Sequence, residues 1–298
     1  MSGIPQQTNR VCVVTGGTSG IGFVTARELA RAGASVAVVG RDPVRMAESL
    51  KEISSAAGPA DVRGFLADLF LQSEVRRLAT ELQRTYPRIH VVVNNAGAVF
   101  SDRGVTAEGF ERTWALNVVS PYLLTQLLLP RLQESGPARV VNVASTAHRG
   151  ARLDFENLQG EKQYSGYRAY SRSKLALILE TYEFARRMAG SEVTFNALHP
   201  GFVASRFGQN NPGGAGRLIH FFAVLFGIRP ERGARTPLFL ATDPAVANVT
   251  GKYFARLHEV SSSPASYDTA AASRLWEVLS VETGIPSDTL RKPPSAGI

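Results

Sequence analysis

The chain predicts an α/β fold, a single doubly wound parallel sheet with helices on both faces. Three observations carry this expectation. Short valine-rich runs recur along the chain, they do not alternate with polar residues, and stretches of helical period separate them. The runs are VCVVT (11–15), SVAVVG (35–40), VVVNNAG (91–97), VVNVAS (140–145) and VTFNAL (193–198). Continuous apolar character suits strands buried on both faces of a sheet. Between the first two runs, IGFVTARELARAG (21–33) sets Ile21, Val24, Leu29 and Ala32 along an apolar helix face. Strands that alternate with helices imply βαβ units. No long Pro/Gly/Ser linker interrupts residues 10–256 and no internal repeat is visible, so one domain is expected over 10–282. Residues 1–9 read as a flexible N-terminal arm and 283–298 as a loose tail.

Composition limits the function classes. With 298 residues, 44% hydrophobic and 19% charged, the chain is long enough to bury a sizeable core. The single cysteine, Cys12, excludes an internal disulfide and a cysteine-based zinc site, and no metal site is expected. Cys12 lies in an apolar run and reads as a small core residue. The net charge of +8 raises nucleic-acid binding, but the 28 arginines are scattered and no DNA- or RNA-binding motif accompanies them. The charge fits attraction to anionic ligands instead. The N-terminus shows no signal peptide. The longest apolar stretch, LIHFFAVLFGI (218–228), is too short to span a bilayer. A cytoplasmic protein without a transmembrane anchor is the expectation.

The first run ends in TGGTSGIG (15–22), with Gly16, Gly20 and Gly22 between a strand and a helix. There, glycines serve a tight turn and close backbone approach to a pyrophosphate, and the helix end offers free amides. Dinucleotide binding on a Rossmann-type domain is the functional reading; ordinary turn glycines are the plain one. Thr18 and Ser19 either reach phosphate oxygens or cap the helix.

A second stretch, YSGYRAYSRSK (164–174), spaces three tyrosines before a lysine. On a helix, residues four apart share a face. Tyr170 then meets Lys174, and Tyr164 meets Arg168. Such a pair is either a solvated helix face or a site.

TGxxxGIG, NNAG at 94–97, a strand ending in Ser145 and Tyr170-x-x-x-Lys174 together resemble the short-chain dehydrogenase/reductase family, over about residues 10–256. NLQGEKQY (157–164), AYSRSKLALIL (169–179), HPGFV (199–203), TGKYF (250–254) and RLWEV (274–278) resemble its retinol-dehydrogenase-like branch. The resemblance implies a catalytic set of Asn117, Ser145, Tyr170 and Lys174. Tyr170 is the implied acid/base; Lys174 lowers its pKa and holds the nicotinamide ribose. The chemistry agrees, because a phenol of pKa about 10 exchanges protons poorly near neutrality and a close ammonium favours the tyrosinate. Ser145 would bond the substrate oxygen, or serve as a turn serine. Asn117 would help hold a proton-relaying water, or make a structural hydrogen bond. Tyr164 and Tyr167 are expected at the substrate mouth or helix entrance.

The same resemblance implies that Gly16, Thr18, Ser19, Gly20, Ile21 and Gly22 cradle the cofactor. It implies that Asp68 and Leu69, after a third strand, contact adenine, and that Asn95, Ala96 and Gly97 line the adenosine ribose and the route to nicotinamide. Pro200, Gly201, Val203 and Ser205 follow a sixth strand, and Val203 and Ser205 would meet the carboxamide. Cofactor choice rests on VAVVGRDP. Counting about twenty residues past the glycines lands on Asp42, an NAD signal. NAD-preferring members, however, carry the acid at the strand's last residue, here Gly40. Asp42 stands before Pro43 and reads as a helix N-cap. Gly40 leaves room for a 2′-phosphate and Arg41 offers a guanidinium to bind it, so NADP(H) is the expected cofactor.

Residues 206–229 are the implied substrate lid. Phe221, Phe222, Leu225 and Phe226 close over an apolar molecule, bury against the core, or, with Arg217 and Arg229, touch a membrane surface. The leading function is NADP(H)-dependent oxidoreduction of a lipophilic alcohol/carbonyl pair, retinoid-like, long-chain or steroid-like. The alternative is a non-catalytic NADP(H)-binding regulatory or scaffold protein. A homodimer through long helices flanking the site is the family-level expectation.

Overall fold

The computed structural model describes residues 4–201 and 229–289. Three βα units open the chain: β1 (Val11–Thr15), α1 (Gly20–Arg31), β2 (Ser35–Gly40), α2 (Pro43–Ala57), β3 (Val62–Leu66) and α3 (Gln72–Thr85). There follow β4 (Val91–Asn94), α4 (Arg112–Trp114), a π-helical turn Ala115–Val119, α5 (Ser120–Glu134), β5 (Ala138–Val143), α6 (Gly166–Arg187) and β6 (Val193–His199). The C-terminal part holds α7 (Pro230–Gly233), α8 (Arg235–Thr242), β7 (Lys252–Ala255), β8 (His258–Glu259) and α9 (Thr269–Thr283).

The strands form one sheet in the order β3-β2-β1-β4-β5-β6-β7-β8, parallel except for the antiparallel β7–β8 pair. Strand order reverses beside β1, which pairs with β2 on one side and β4 on the other. Thr15 sits opposite Val39 and Asn94 opposite Asn142, so the carboxyl ends of the central strands line one edge. A reversal point at that edge is where open α/β sheets bind ligands.

The valine runs are buried as expected, one residue to each face in turn. Val13, Val39, Val92 and Val140 join a core with Leu78, Tyr122, Leu179, Phe184 and Trp276, whereas Cys12, Val14, Val38 and Val93 join another with Val24, Leu29, Ile53 and Leu238. Cys12 is fully buried, and burial pushes its thiol up to about 12, as befits a core residue. β3 escaped the apolar pattern because it is an edge strand with Arg63 and Leu66 exposed. Two strands end sooner than their runs suggest: β4 at Asn94 and β5 at Val143. β4 stops because the amides of Asn95 and Ala96 both turn to donate to Thr15 Oγ1, each at 3.0 Å.

Neither end behaves as its composition implied over the residues described. In the N-terminal arm, the Gln7 amide donates to the Ala32 carbonyl at 2.7 Å and Ile4 packs on the second core. α9 runs to Thr283 and is closed by Gly284 at φ 64°. Residues 285–287, expected within the tail, are tied down: Arg187 and Trp276 donate to the Ser287 carbonyl, and Ile285 meets the first core.

Candidate active site

The glycine turn comes first, because its shape is fixed by backbone crowding. Gly16 and Gly20 adopt φ of 64° and 56°, a region that side chains disfavour. A Cβ on Gly22 would lie 2.3 Å from the Gly16 carbonyl oxygen and 2.4 Å from Asn95 Nδ2. The Asn95 side chain ties the turn to β4 by donating to the Thr15 carbonyl at 2.9 Å. Ser19 precedes α1 without a side-chain cap bond. Bare backbone, two left-handed glycines and an uncapped helix start fit a pyrophosphate.

At the end of β2, Asp42 caps α2, accepting from the amides of Val44 at 3.0 Å and Arg45 at 3.1 Å with Pro43 in the first turn. The N-cap reading of Asp42 is therefore borne out. Arg41 is exposed, its guanidinium 5.5 Å from the Phe70 ring centre. Arg41, Asp68, Phe70, Leu71, Phe100, Thr106, Ala107 and Arg112 line a cleft of about 480 Å³. A Cβ on Gly40 would lie 2.7 Å from Thr18 Cγ2, so Gly40 is also required by the packing of the glycine turn. The Leu69 side chain points into the first core.

Asn117, Ser145, Tyr170 and Lys174 come from three segments, the π-helical turn, the turn after β5 and α6, which carries both Tyr170 and Lys174. Asn117 sits in the π-helical turn, fully buried. Its Oδ1 accepts from the Ala98 amide at 3.0 Å, and its Nδ2 donates to the Ala98 carbonyl at 2.9 Å and to Ser173 Oγ at 3.0 Å. Periodicity gave no sign of the π turn. Ser145 opens a short 3₁₀ turn, Thr146–His148, and its hydroxyl accepts from the Ala147 amide at 3.2 Å. Lys174 is buried and its Nζ donates to the Val143 carbonyl at 2.9 Å. A Cβ on Gly97 would lie 3.3 Å from that Nζ and 3.2 Å from Asn117 Oδ1, so the NNAG turn faces both groups.

The electrostatics differ from the expectation for the Tyr170–Lys174 pair. Burial pushes the Tyr170 phenol up to about 12, against the opposing hydrogen bond with Ser145. Burial also pulls the Lys174 ammonium down to about 8, opposed by Glu180. Lys174 Nζ lies 5.8 Å from the Tyr170 ring centre and bonds the Val143 carbonyl, and burial dominates the phenol.

Tyr164 does not meet Arg168. α6 begins at Gly166, where a Cβ would lie 2.1 Å from the Phe100 carbonyl oxygen, and Tyr164 falls outside the helix. Its hydroxyl donates to the Phe100 carbonyl at 3.2 Å and to Glu111 Oε1 at 3.1 Å. Tyr167 is exposed. Sequence reasoning missed the network that Tyr164 joins. The buried Glu111 caps α4 through the Thr113 and Trp114 amides, at 2.9 and 2.8 Å. Glu282 accepts from Trp114 Nε1 and Gln159 Nε2, and Gln159 in turn accepts from the Glu111 amide. The capping position of Glu111, three residues before Trp114, was the one signal available.

Pro200 and Gly201 follow β6, with the Gly201 amide donating to His199 Nδ1 at 3.0 Å. Val203, Ser205 and residues 206–228 of the expected 206–229 lid lie outside the described residues, and Arg229 precedes α7. Among the described residues, no helix is long and apolar enough to cross a membrane.

A strand-order reversal, a glycine turn at that edge and a Tyr/Lys/Ser/Asn cluster beside it accompany a match of residues 10–213 to the short chain dehydrogenase family model. The chain belongs to that family, and within it is retinol-dehydrogenase-like. It is 37% identical to retinol dehydrogenase 14 of Mus musculus over 288 residues, covering 93% of this chain and 86% of the relative. It is 40% identical to dehydrogenase/reductase SDR family member 13 of Bos taurus over 280 residues, covering 92% and 73%. Among solved structures, an uncharacterised protein of Mycobacterium paratuberculosis superposes with a TM-score of 0.76 at 33% identity, covering 94% of this chain and 96% of that one. A Pseudomonas aeruginosa RhlG/NADP active-site complex superposes at 0.63 with 28% identity, covering 85% and 97%. The protein is thus an oxidoreductase that acts on alcohols.

Proposed function

We propose that the protein interconverts a lipophilic alcohol and its aldehyde or ketone with NADP(H), using Tyr170 as the acid/base. The observation that carries this reading is the convergence of Lys174 Nζ and Asn117 Oδ1 on Gly97, beside the Tyr170–Ser145 pair. A bound nicotinamide cofactor would supply or accept the hydride. In carbonyl reduction Tyr170 donates its proton to the substrate oxygen as charge develops there, and Ser145 bonds the same oxygen. Burial keeps the Tyr170 phenol protonated, so the proton is in place, and a nearby cation would have to lower the phenol for ready transfer near neutrality. Lys174 would hold the cofactor ribose through its ammonium, and Asn117 keeps the NNAG turn in place through both polar groups of Ala98.

NADP(H) is favoured by Arg41 standing free of the helix cap that Asp42 supplies. The names of relatives, retinol dehydrogenases among them, make retinoid-like molecules the first substrates to try, with long-chain and steroid-like carbonyls beside them. Action in the cytoplasm and a homodimer belong to the same proposal. α6 has apolar neighbours on most sides, including Trp276 of α9 against Phe184, so a dimer would need surface beyond α6 alone.

The test is NADPH consumption with all-trans-retinaldehyde, decanal and a steroid ketone, in the parent and in Tyr170→Phe. The variant should lose turnover by at least a thousandfold and retain NADPH binding. Near-parent turnover would remove Tyr170 from the acid role. NADPH binding without turnover on any carbonyl would favour the non-catalytic reading.

A further inference from the structure

The 3₁₀ turn after Ser145 contains a histidine that the mechanism above does not use. His148 is fully buried, and both ring nitrogens are bonded to main chain. Nε2 lies 3.0 Å from the Ser263 amide, which can only donate, so Nε2 is the acceptor. The proton therefore sits on Nδ1, which donates to the Ser145 carbonyl at 2.5 Å. Burial, with a smaller contribution from Arg149, holds the ring below the usual histidine range against the Ser145 bond, so the neutral tautomer is maintained. The Ser145 carbonyl also receives the His148 amide at 3.3 Å.

The bond to Ser263 reaches a second segment, 115 residues away. There the Ser262 hydroxyl bonds the Tyr182 hydroxyl at 2.9 Å, and the Tyr267 hydroxyl accepts from the Ser262 amide at 3.1 Å. Arg149 adds a parallel tie, donating to the Ser261 carbonyl at 2.8 Å. Tyr253 packs edge-on against the His148 ring at 5.1 Å. The imidazole thus links a turn braced by α6 to the peptide of Ser145.

We propose that His148 is a positioning residue, whose Nδ1–H fixes the Ser145 peptide, and so the direction of the Ser145 hydroxyl, from the Ser261–Tyr267 segment. A proton donor bound to the Ser145 carbonyl limits rotation of the residue that carries the hydroxyl. A small misplacement of a group near the reacting atoms can cost about a hundredfold in rate. The inference rests on the reading of Ser145 as the group that bonds the substrate oxygen.

Two substitutions separate the two bonds. In His148→Asn the side-chain amide nitrogen takes the place of Nδ1 and can still donate to the Ser145 carbonyl, while the Ser263 amide loses its partner. In His148→Gln the side-chain oxygen takes the place of Nε2 and can still accept from Ser263, while the Ser145 carbonyl loses its side-chain donor. The kcat for NADPH-dependent reduction of the best carbonyl from the panel should be at least tenfold lower in His148→Gln than in His148→Asn. NADPH affinity should be similar in the two. A merely structural histidine would give equal kcat values per folded molecule, and that result overturns the proposal.

Hydrogen exchange supplies a readout independent of turnover. The Ala147 and His148 amides, bonded to Ser145 Oγ and to the Ser145 carbonyl, should exchange faster in His148→Gln than in His148→Asn. Equal protection overturns the proposal as well. Ser145→Ala separates the two levels of argument. If it keeps parent turnover, the role given to Ser145 fails, and exchange alone then decides whether His148 holds the turn.

Discussion

Arg41→Ala should weaken NADPH binding about ten- to a hundredfold and leave NADH binding nearly unchanged. The 2′-phosphate carries charge that a guanidinium meets with paired, charge-assisted hydrogen bonds, worth roughly 1.5–3 kcal/mol. That energy corresponds to about one to two decades in Kd. Arg41 is exposed, which favours the lower end at physiological salt, whereas its placement 5.5 Å from the Phe70 ring centre preorganises it and favours the upper. Asp42 is the counter-test. Its carboxylate accepts from two amides of α2, so Asp42→Ala should cost a helix cap of about 1 kcal/mol and leave cofactor preference alone. Gly40→Asp is a poor probe, because a Cβ there would first displace Thr18 from the glycine turn. The assay is a pair of fluorescence titrations, NADPH and NADH, on each variant and the parent, with melting followed in parallel. If Asp42→Ala destroyed NADH binding while Arg41→Ala left NADPH untouched, the assignment at the end of β2 would be wrong and the enzyme NAD-dependent.

Three further outcomes are expected. Lys174→Ala should impair turnover and NADPH affinity together, measured by steady-state kinetics and titration; a change in melting alone would return Lys174 to a structural role. Asn117→Ala leaves the buried amide and carbonyl of Ala98 without their side-chain partners, at about 1–3 kcal/mol for each unpaired group, and denaturant titration should register a loss of several kcal/mol. Glu180 gives a pH signature. Burial raises its carboxyl well above the ordinary range, with Lys174 opposing, and neither oxygen has a hydrogen-bond partner among the described residues. A raised folded pKa means full stability below the unfolded value of about 4.5 and progressive loss as pH rises, by up to roughly 1.4 kcal/mol per pH unit while the folded carboxyl stays protonated. Glu180→Gln should therefore flatten the fall in stability between pH 5 and 7, relative to the parent. Glu282, pushed up to about 7 chiefly by burial, contributes the same slope to both proteins and cancels in the difference. An unchanged slope would show that Glu180 ionises normally.

The features legible in the sequence are those whose physics is local. Valine runs name buried strands because both faces of the sheet are covered. Gly16 and Gly20 announce their turn because other residues resist its backbone angles, and Asp42-Pro43 announces a helix start because the cap bonds span only three residues. The spacing of Tyr170 and Lys174 needed only a helix. Tertiary structure decided the rest, because it depends on which distant segments meet. Tyr164 matched the helical spacing equally well, yet the close approach of Gly166 to the Phe100 carbonyl starts the helix after it and turns its hydroxyl to Glu111. Asn117 could be read as a member of the site, but the π turn and its two bonds to Ala98 follow from a contact across 19 residues. The hold of His148 on Ser145 is only three residues long, but the tautomer that makes it a donor is set by the Ser263 amide, 115 residues further on. A pattern read along the chain carries backbone preference and periodicity. It carries no record of which carbonyl or amide a buried side chain will face, because chain closure brings that partner from elsewhere.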